Sequence, residues 1–275
     1  RYSGREMAEV MSLTFMVFMA IPIIAPGIGQ VILLVGDWHN IFIFMGLLAA
    51  AFWAWTYIRL PETLPLDARR PLSFKAVVNG FVIVFTNRVA FSYGLAGMFL
   101  FGALFGFISS SQQIYVDIYG LGVYFPVAFA GVAALMAVSS FTNSRIVRSL
   151  GMRRISHGAV VTFTIGSAVW LAFALMGFLP LWLFLGLLCI IMFSFGWTAS
   201  NMNSLSMEPL GEVAGTAASV FGFIQTVGGA LIGSYIGQHF DNTTVPAATG
   251  YFSMGVLAIA CVLIAEKGKL FGKIN

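Results

Sequence analysis

Ser194, Thr198 and Asn201 stand at i, i+4 and i+7, so one face of a helix over 180–203 carries all three, with Trp197 and Asn203 beside them. In so apolar a stretch these groups can do one kind of chemistry. They hydrogen-bond to a neighbouring helix or to a solute, because a polar group left unpaired in hydrocarbon is costly. Gln112 and Gln113, closing the run 91–115, offer the same capability, as does Gln225, set among Gly222, Gly229, Gly233 and Gly237. Gln112, Gln113, Trp197, Asn201, Asn203 and Gln225 are therefore the candidates for lining a path for a small molecule. The competing reading makes each a tie between helices, and the small residues around Gln225 weigh toward a tie there.

Covalent chemistry finds no support. No predicted helix centre contains Asp, Glu, Lys or Arg, and neither HExxH nor GxSxG occurs, which argues against an intramembrane hydrolase. His39, His157 and His239 fall near predicted interfaces without pairing in sequence, and Cys189 and Cys261 lie far apart inside predicted helices. No metal site, cofactor or redox centre is expected from that set.

The elements that must hold these residues follow from composition. Hydrophobic residues make up 59% of the 275, charged residues 9%, and the mean hydropathy is +0.94, whereas soluble domains carry about 25% charge. The few charges divide the chain into uncharged runs, each long enough for a helix of about 20 residues to cross a bilayer. One run, 155–207, is about twice that length and turns at Gly177-Phe178-Leu179-Pro180. An all-α polytopic membrane protein is expected, with eight spans near 9–35, 40–58, 91–115, 122–144, 155–177, 180–203, 212–237 and 246–266.

Alternating those spans puts all 14 Lys and Arg on one side, in 1–8, 59–90, 145–154, 204–211 and 267–275, and none on the other. The positive-inside rule then makes both termini cytoplasmic, and the net charge of +4 is membrane topology rather than a nucleic-acid surface. Residues 59–88 form a polar divider in which Pro61, Pro65 and Pro71 exclude regular structure. The apolar stretch 76–86 is too short to span and suits a helix on the membrane surface. Three parts result: 1–60 with two helices, 61–90 as a central cytoplasmic loop, and 91–275 as a six-helix bundle. Pro22 and Pro26 lie on one face of the first helix and remove backbone donors, implying a kink that serves either close packing or gating.

Several stretches carry a family resemblance. RYSGREMAEVMSL, the APGIGQ helix, Asp37-Trp38-His39-Asn40-Ile41-Phe42 and Arg59-Leu60-Pro61-Glu62-Thr63-Leu64 resemble the fourth loop through sixth helix of the major facilitator superfamily, and most of all its drug:proton antiporters of the bicyclomycin-resistance type. Pro26 and Gly29 fall on the antiporter signature Gly-Pro-x-x-Gly-Gly, from which the chain departs at Ala25 and Gln30. Arg145, Arg148, Gly151, Arg153 and Arg154 resemble the superfamily's second, degenerate loop motif, where a plain positive-inside anchor is the other reading. Val213 to Ser219 is similar to the same branch.

The resemblance implies a twelve-helix fold whose first four helices lie outside this chain and carry the proton-coupling acid. It implies multidrug efflux by proton antiport with alternating access, in the inner cell membrane, by a monomer whose partners are the bilayer, a small-molecule substrate and protons. A metabolite uniporter or symporter of the same fold, and a non-transporting membrane scaffold or receptor, remain open alternatives.

Overall fold

The computed structural model describes residues 4–61 and 74–271, apart from the side chains of residues 4, 19, 20, 22, 23, 26, 27 and 30. Arg69 and Arg70 of the divider therefore lie outside the described residues, as do the side chains of Pro22, Pro26 and Gln30 in the first helix.

Every long element is helical, and the caps follow from the sequence. α1 (Gly4–Val35) runs unbroken through its prolines, and α2 (His39–Arg59) follows a short turn. α3 (Phe74–Thr86) ends at Asn87, whose side chain accepts a 3.0 Å hydrogen bond from the Ala90 amide and so opens α4 (Arg88–Gln112). α4 widens into a π-helical turn over Gln113–Ile118. α5 (Phe125–Leu150) carries Pro126 in its first turn, where a missing N–H costs nothing. It stops at Gly151, whose φ of +82° only glycine adopts without strain, and α6 (Met152–Leu175) begins at once. α7 (Leu181–Met207) follows Pro180. A 3₁₀ turn at Glu208–Val213 leads into α8 (Ala214–Phe223), a π turn at Ile224–Gly228 and α9 (Gly229–Gln238). α10 (Val245–Ala265) closes the bundle.

Among the described residues six helical stretches are long and apolar enough to cross a membrane. One of them, Leu181–Gln238, is 58 residues long and bends at the 3₁₀ turn into two spans. With the 32-residue α1, eight long elements stand where eight were expected. Two boundaries differ most. α1 begins before Arg5 rather than at Glu9, and α5 continues six residues beyond 144, because a charge marks the edge of the hydrocarbon and does not end a helix.

The core sits among α4, α6, α7 and α10, with α5 packed on α7 and α9 on α4. α3 folds back on α8 and α4, where Val84 joins Ala90, Leu210, Ala217, Val220 and Phe221 in a separate apolar cluster. α1 lies along α5 and α7. α2 touches α1 and buries no residue.

Candidate functional site

Of the polar face expected on α7, Asn201 meets α1 and α5 in a buried network, while Ser194 and Thr198 bond to carbonyls of their own helix. Asn143 of α5 donates to Ser12 Oγ of α1 at 2.6 Å and to Ser200 Oγ of α7 at 3.1 Å, and Ser12 Oγ reaches Ser200 Oγ at 3.0 Å. Asn201 Nδ2 donates to Asn143 Oδ1 at 2.8 Å and to the Trp197 carbonyl at 2.7 Å. Ser12, Asn143, Ser200 and Asn201 are all fully buried or nearly so. One turn on, Trp197 Nε1 donates to Thr142 Oγ1 at 3.0 Å, and Ser139 Oγ donates to the Phe193 carbonyl. The helices come this close because α7 has Gly196 there. A Cβ at that position would lie 2.9 Å from the Met136 carbonyl oxygen.

The other candidates fall elsewhere. Asn203 is half-buried and faces Met11 of α1, with Nδ2 at 3.7 Å from its sulfur. Gln112 is exposed at the far end of α4, and Gln113 is half-buried with its Oε1 unpartnered among the described residues. Gln225 lies in the π turn and is buried against Gly97 of α4, where a Cβ would meet its Nε2 at 2.7 Å. Of the glycine stripe around it, Gly229, Gly233 and Gly237 pack on α4, while Gly222 is exposed with no neighbour within 4 Å. A Cβ at Gly229 would stand 3.0 Å from Phe101, and one at Gly237 would stand 2.8 Å from Ser109.

The ends of α1, α5, α6 and α10 that share the basic residues form a second constellation. Arg5 donates to the Arg148 carbonyl at 2.9 Å, and Arg148 pairs with Glu9 through its Nε. The Arg5 guanidinium also lies over Gly151, 3.5 Å from where a Cβ would be. Arg145 covers the Phe141 ring at 5.1 Å, and Arg154 is exposed. Arg153 Nε donates to Glu266 Oε1 at 2.7 Å, and Tyr93 Oη donates to the same oxygen at 2.8 Å. The Phe271 N–H donates to His157 Nδ1 at 3.0 Å, which leaves the proton on Nε2, 2.9 Å from Tyr93 Oη. The chain Phe271, His157, Tyr93, Glu266, Arg153 thus has every donor matched to an acceptor. Burial raises the Glu266 pKa, but the bonds from Arg153 and Tyr93 and the charge of Arg153 outweigh it and hold the carboxyl below its ordinary value.

Sequence reasoning missed both the Asn143–Ser12 link and the Tyr93–His157–Glu266 chain. Asn143 falls at the last turn of the span expected over 122–144, and His157 near an interface with no partner in sequence. No local signal marks the second group, because Tyr93 and Glu266 are 173 positions apart.

The family model described as Major Facilitator Superfamily matches residues 1–233. The chain belongs to that superfamily. Its relatives agree. It is 31% identical over 275 residues to the bicyclomycin resistance protein homolog of Haemophilus influenzae, covering 96% of this chain and 65% of the relative. It is 28% identical over 259 residues to the uncharacterized MFS-type transporter YdgK of Bacillus subtilis, at 93% and 64% coverage. The multidrug resistance protein D of Escherichia coli is 24% identical over 265 residues, at 93% and 62%. The chain spans a little under two thirds of the length of these relatives. Fold and family agree on an all-α polytopic membrane protein.

Proposed function

We propose that the whole protein is a secondary active transporter that exports small amphipathic compounds in exchange for protons, by alternating access. The observation that carries this reading is the α1–α5–α7 network. It is polar and buried near the basic end, and it joins α1 to α5 and α7, whereas α9 meets α4 through apolar and glycine packing. Its bonds are between uncharged groups, each contributing roughly 0.6 kcal/mol in a membrane. A substrate or a protonation event could therefore break the contact without an unpaired buried charge. The names of the Haemophilus and Escherichia relatives, which speak of bicyclomycin and multidrug resistance, support drug-like compounds as the cargo.

In this reading α1 and α2 belong to one rocking half, residues 61–90 to the loop between halves, and α4 to α10 to the other half. The clustering of Lys and Arg supports a cytoplasmic position for the basic end and for both ends of this chain, in an inner membrane. Asn201 and Asn203 of α7 and Gln112 and Gln113 of α4 contribute to the substrate path, with Trp197 flanking it and Gln225 tying α8–α9 to α4. Arg145, Arg148, Gly151, Arg153 and Arg154 act as the loop motif, and Arg148 closes the cytoplasmic side through Glu9. Pro26 and Gly29 mark the antiporter helix. The described spans hold Asp and Glu only near their ends, so their residues supply substrate contacts and not the proton-carrying acid.

Flux of a fluorescent lipophilic cation in proteoliposomes of the full-length protein tests this. Uptake that follows an imposed pH gradient is expected. Flux indifferent to the gradient would instead indicate a uniporter, and absence of flux a scaffold.

A further inference from the structure

A groove of about 820 Å³ runs along the outside of the bundle between α5 and α6, floored by α7. The two walls make little contact with each other. α1 and α4 contribute nothing to the lining, so the groove faces away from the α1 contact and toward the hydrocarbon. Along α6 it extends from Arg154 to Thr162, and along α7 from Trp197 to Cys189, about 12 Å in each case at 1.5 Å per residue. That is close to the depth of one leaflet, half of a hydrocarbon core about 30 Å thick.

The chemistry of the lining is as asymmetric as its position. Within the groove the two hydroxyls are already used, Thr162 Oγ1 donating to the Gly158 carbonyl at 3.0 Å and Ser194 Oγ to the Ile190 carbonyl at 2.8 Å. Trp197 Nε1 is held by Thr142. Below the mouth no hydroxyl or indole N–H is free to hold a polar solute. At the mouth stands Arg154, exposed and, among the described residues, making no hydrogen bond or ion pair. Phe271 closes one edge, seated there by the bond from its amide to His157.

We propose that this groove binds one acyl chain of an anionic phospholipid from the leaflet at the basic end, its phosphate paired with Arg154. A hydrocarbon chain fits the depth and the satisfied walls, and a fixed anion at the surface fits the Arg154 guanidinium at the mouth. A lipophilic cation, the cargo proposed above, would meet like charge at the mouth, so the groove selects against that cargo even though Trp197 borders both the groove and the proposed path.

Trp197 reports on the site directly. In the full-length protein in nanodiscs, with every other tryptophan, including the five others of this chain, replaced by Phe, its fluorescence should be quenched by phospholipid brominated along the chain. Brominated phosphatidylglycerol should reach half-quenching at a mole fraction about fivefold lower than brominated phosphatidylcholine, the preference one arginine confers near a membrane surface. Arg154→Gln should abolish that preference, and Gly158→Leu, which fills the groove, should weaken quenching by both lipids. Equal quenching by the two lipids, or a preference that survives Arg154→Gln, would overturn the proposal. So would displacement of the brominated lipid by a transported cation. Should the single-tryptophan form not fold, native mass spectrometry of the otherwise unaltered protein decides instead. Arg154→Gln should lose a retained phosphatidylglycerol, and unchanged retention would refute the site.

Discussion

Two helix contacts in this molecule are built on opposite principles. α4 meets α8 and α9 through glycines, with Gly97 under Gln225, Gly229 against Phe101 and Gly237 against Ser109. α1 meets α5 and α7 at the basic end through side-chain hydrogen bonds among Ser12, Asn143, Ser200 and Asn201. Glycine packing depends on backbone proximity and is lost altogether once the helices separate, since lipid tails supply no hydrophobic drive to bring them back. Hydrogen-bonded side chains can exchange partners with water or solute as the helices part. The first contact suits a permanent joint, the second a joint that opens and closes.

The sharpest way to break the comparison is steric. At Gly233 a Cβ would lie 2.7 Å from the Gly106 backbone nitrogen, and that backbone cannot move aside as a flexible side chain would. Gly233→Leu should destabilise the protein by about 3 kcal/mol or more, read as loss of the monodisperse peak after heating in detergent. At the polar contact the effect should be smaller and different in kind. Asn143→Ala leaves Ser12, Ser200 and Asn201 without their shared partner and should cost about 2 kcal/mol, while shifting the balance between conformations. Cysteine accessibility at position 200 from the basic side should rise. Asn201→Ala separates its two roles: a changed rank order of exported compounds, with melting temperature near the parent's, marks the substrate path.

How much of this contrast was legible beforehand depended on whether the signal was local. The glycine stripe on α8–α9 was visible because spacings of three and four on one helix need no knowledge of the partner. The eight helices were visible because hydrocarbon tolerates so few charges, which also fixed the basic side. The partners were not visible. Asn143 lies next to a basic run that reads as a loop, yet α5 carries it helically to Leu150 and turns it onto Ser12. Arg5 and Glu9 looked like the edge of a loop because the sequence shows where the membrane ends and not where the helix does. α2 and α4 are both apolar throughout, but α2 buries nothing and α4 lies in the core, a difference that only tertiary packing decides.

Smaller effects refine the comparison at its rim. Glu266→Gln removes the acceptor shared by Arg153 and Tyr93 and should lower stability by about 1.5 kcal/mol. The Glu266 pKa lies below its ordinary value, so the carboxylate's stabilising bonds are complete above the usual carboxylate range. They are lost only as pH falls through the depressed folded value. The gap in melting temperature between parent and Glu266→Gln should therefore be constant from about pH 5 upward and close below about pH 4. Glu9→Gln breaks a pair whose arginine is largely exposed. It should cost about 0.5 kcal/mol at most and vanish in high salt.

The central claim, that the α1 contact opens during each cycle, is tested most directly by locking it. With Cys189 and Cys261 replaced by Ala, Ser12→Cys and Ser200→Cys put two thiols where hydroxyl oxygens lie 3.0 Å apart. Oxidation in proteoliposomes of the full-length protein should form the disulfide and stop transport, and reductant should restore it. Transport that continues with the disulfide fully formed would contradict the account.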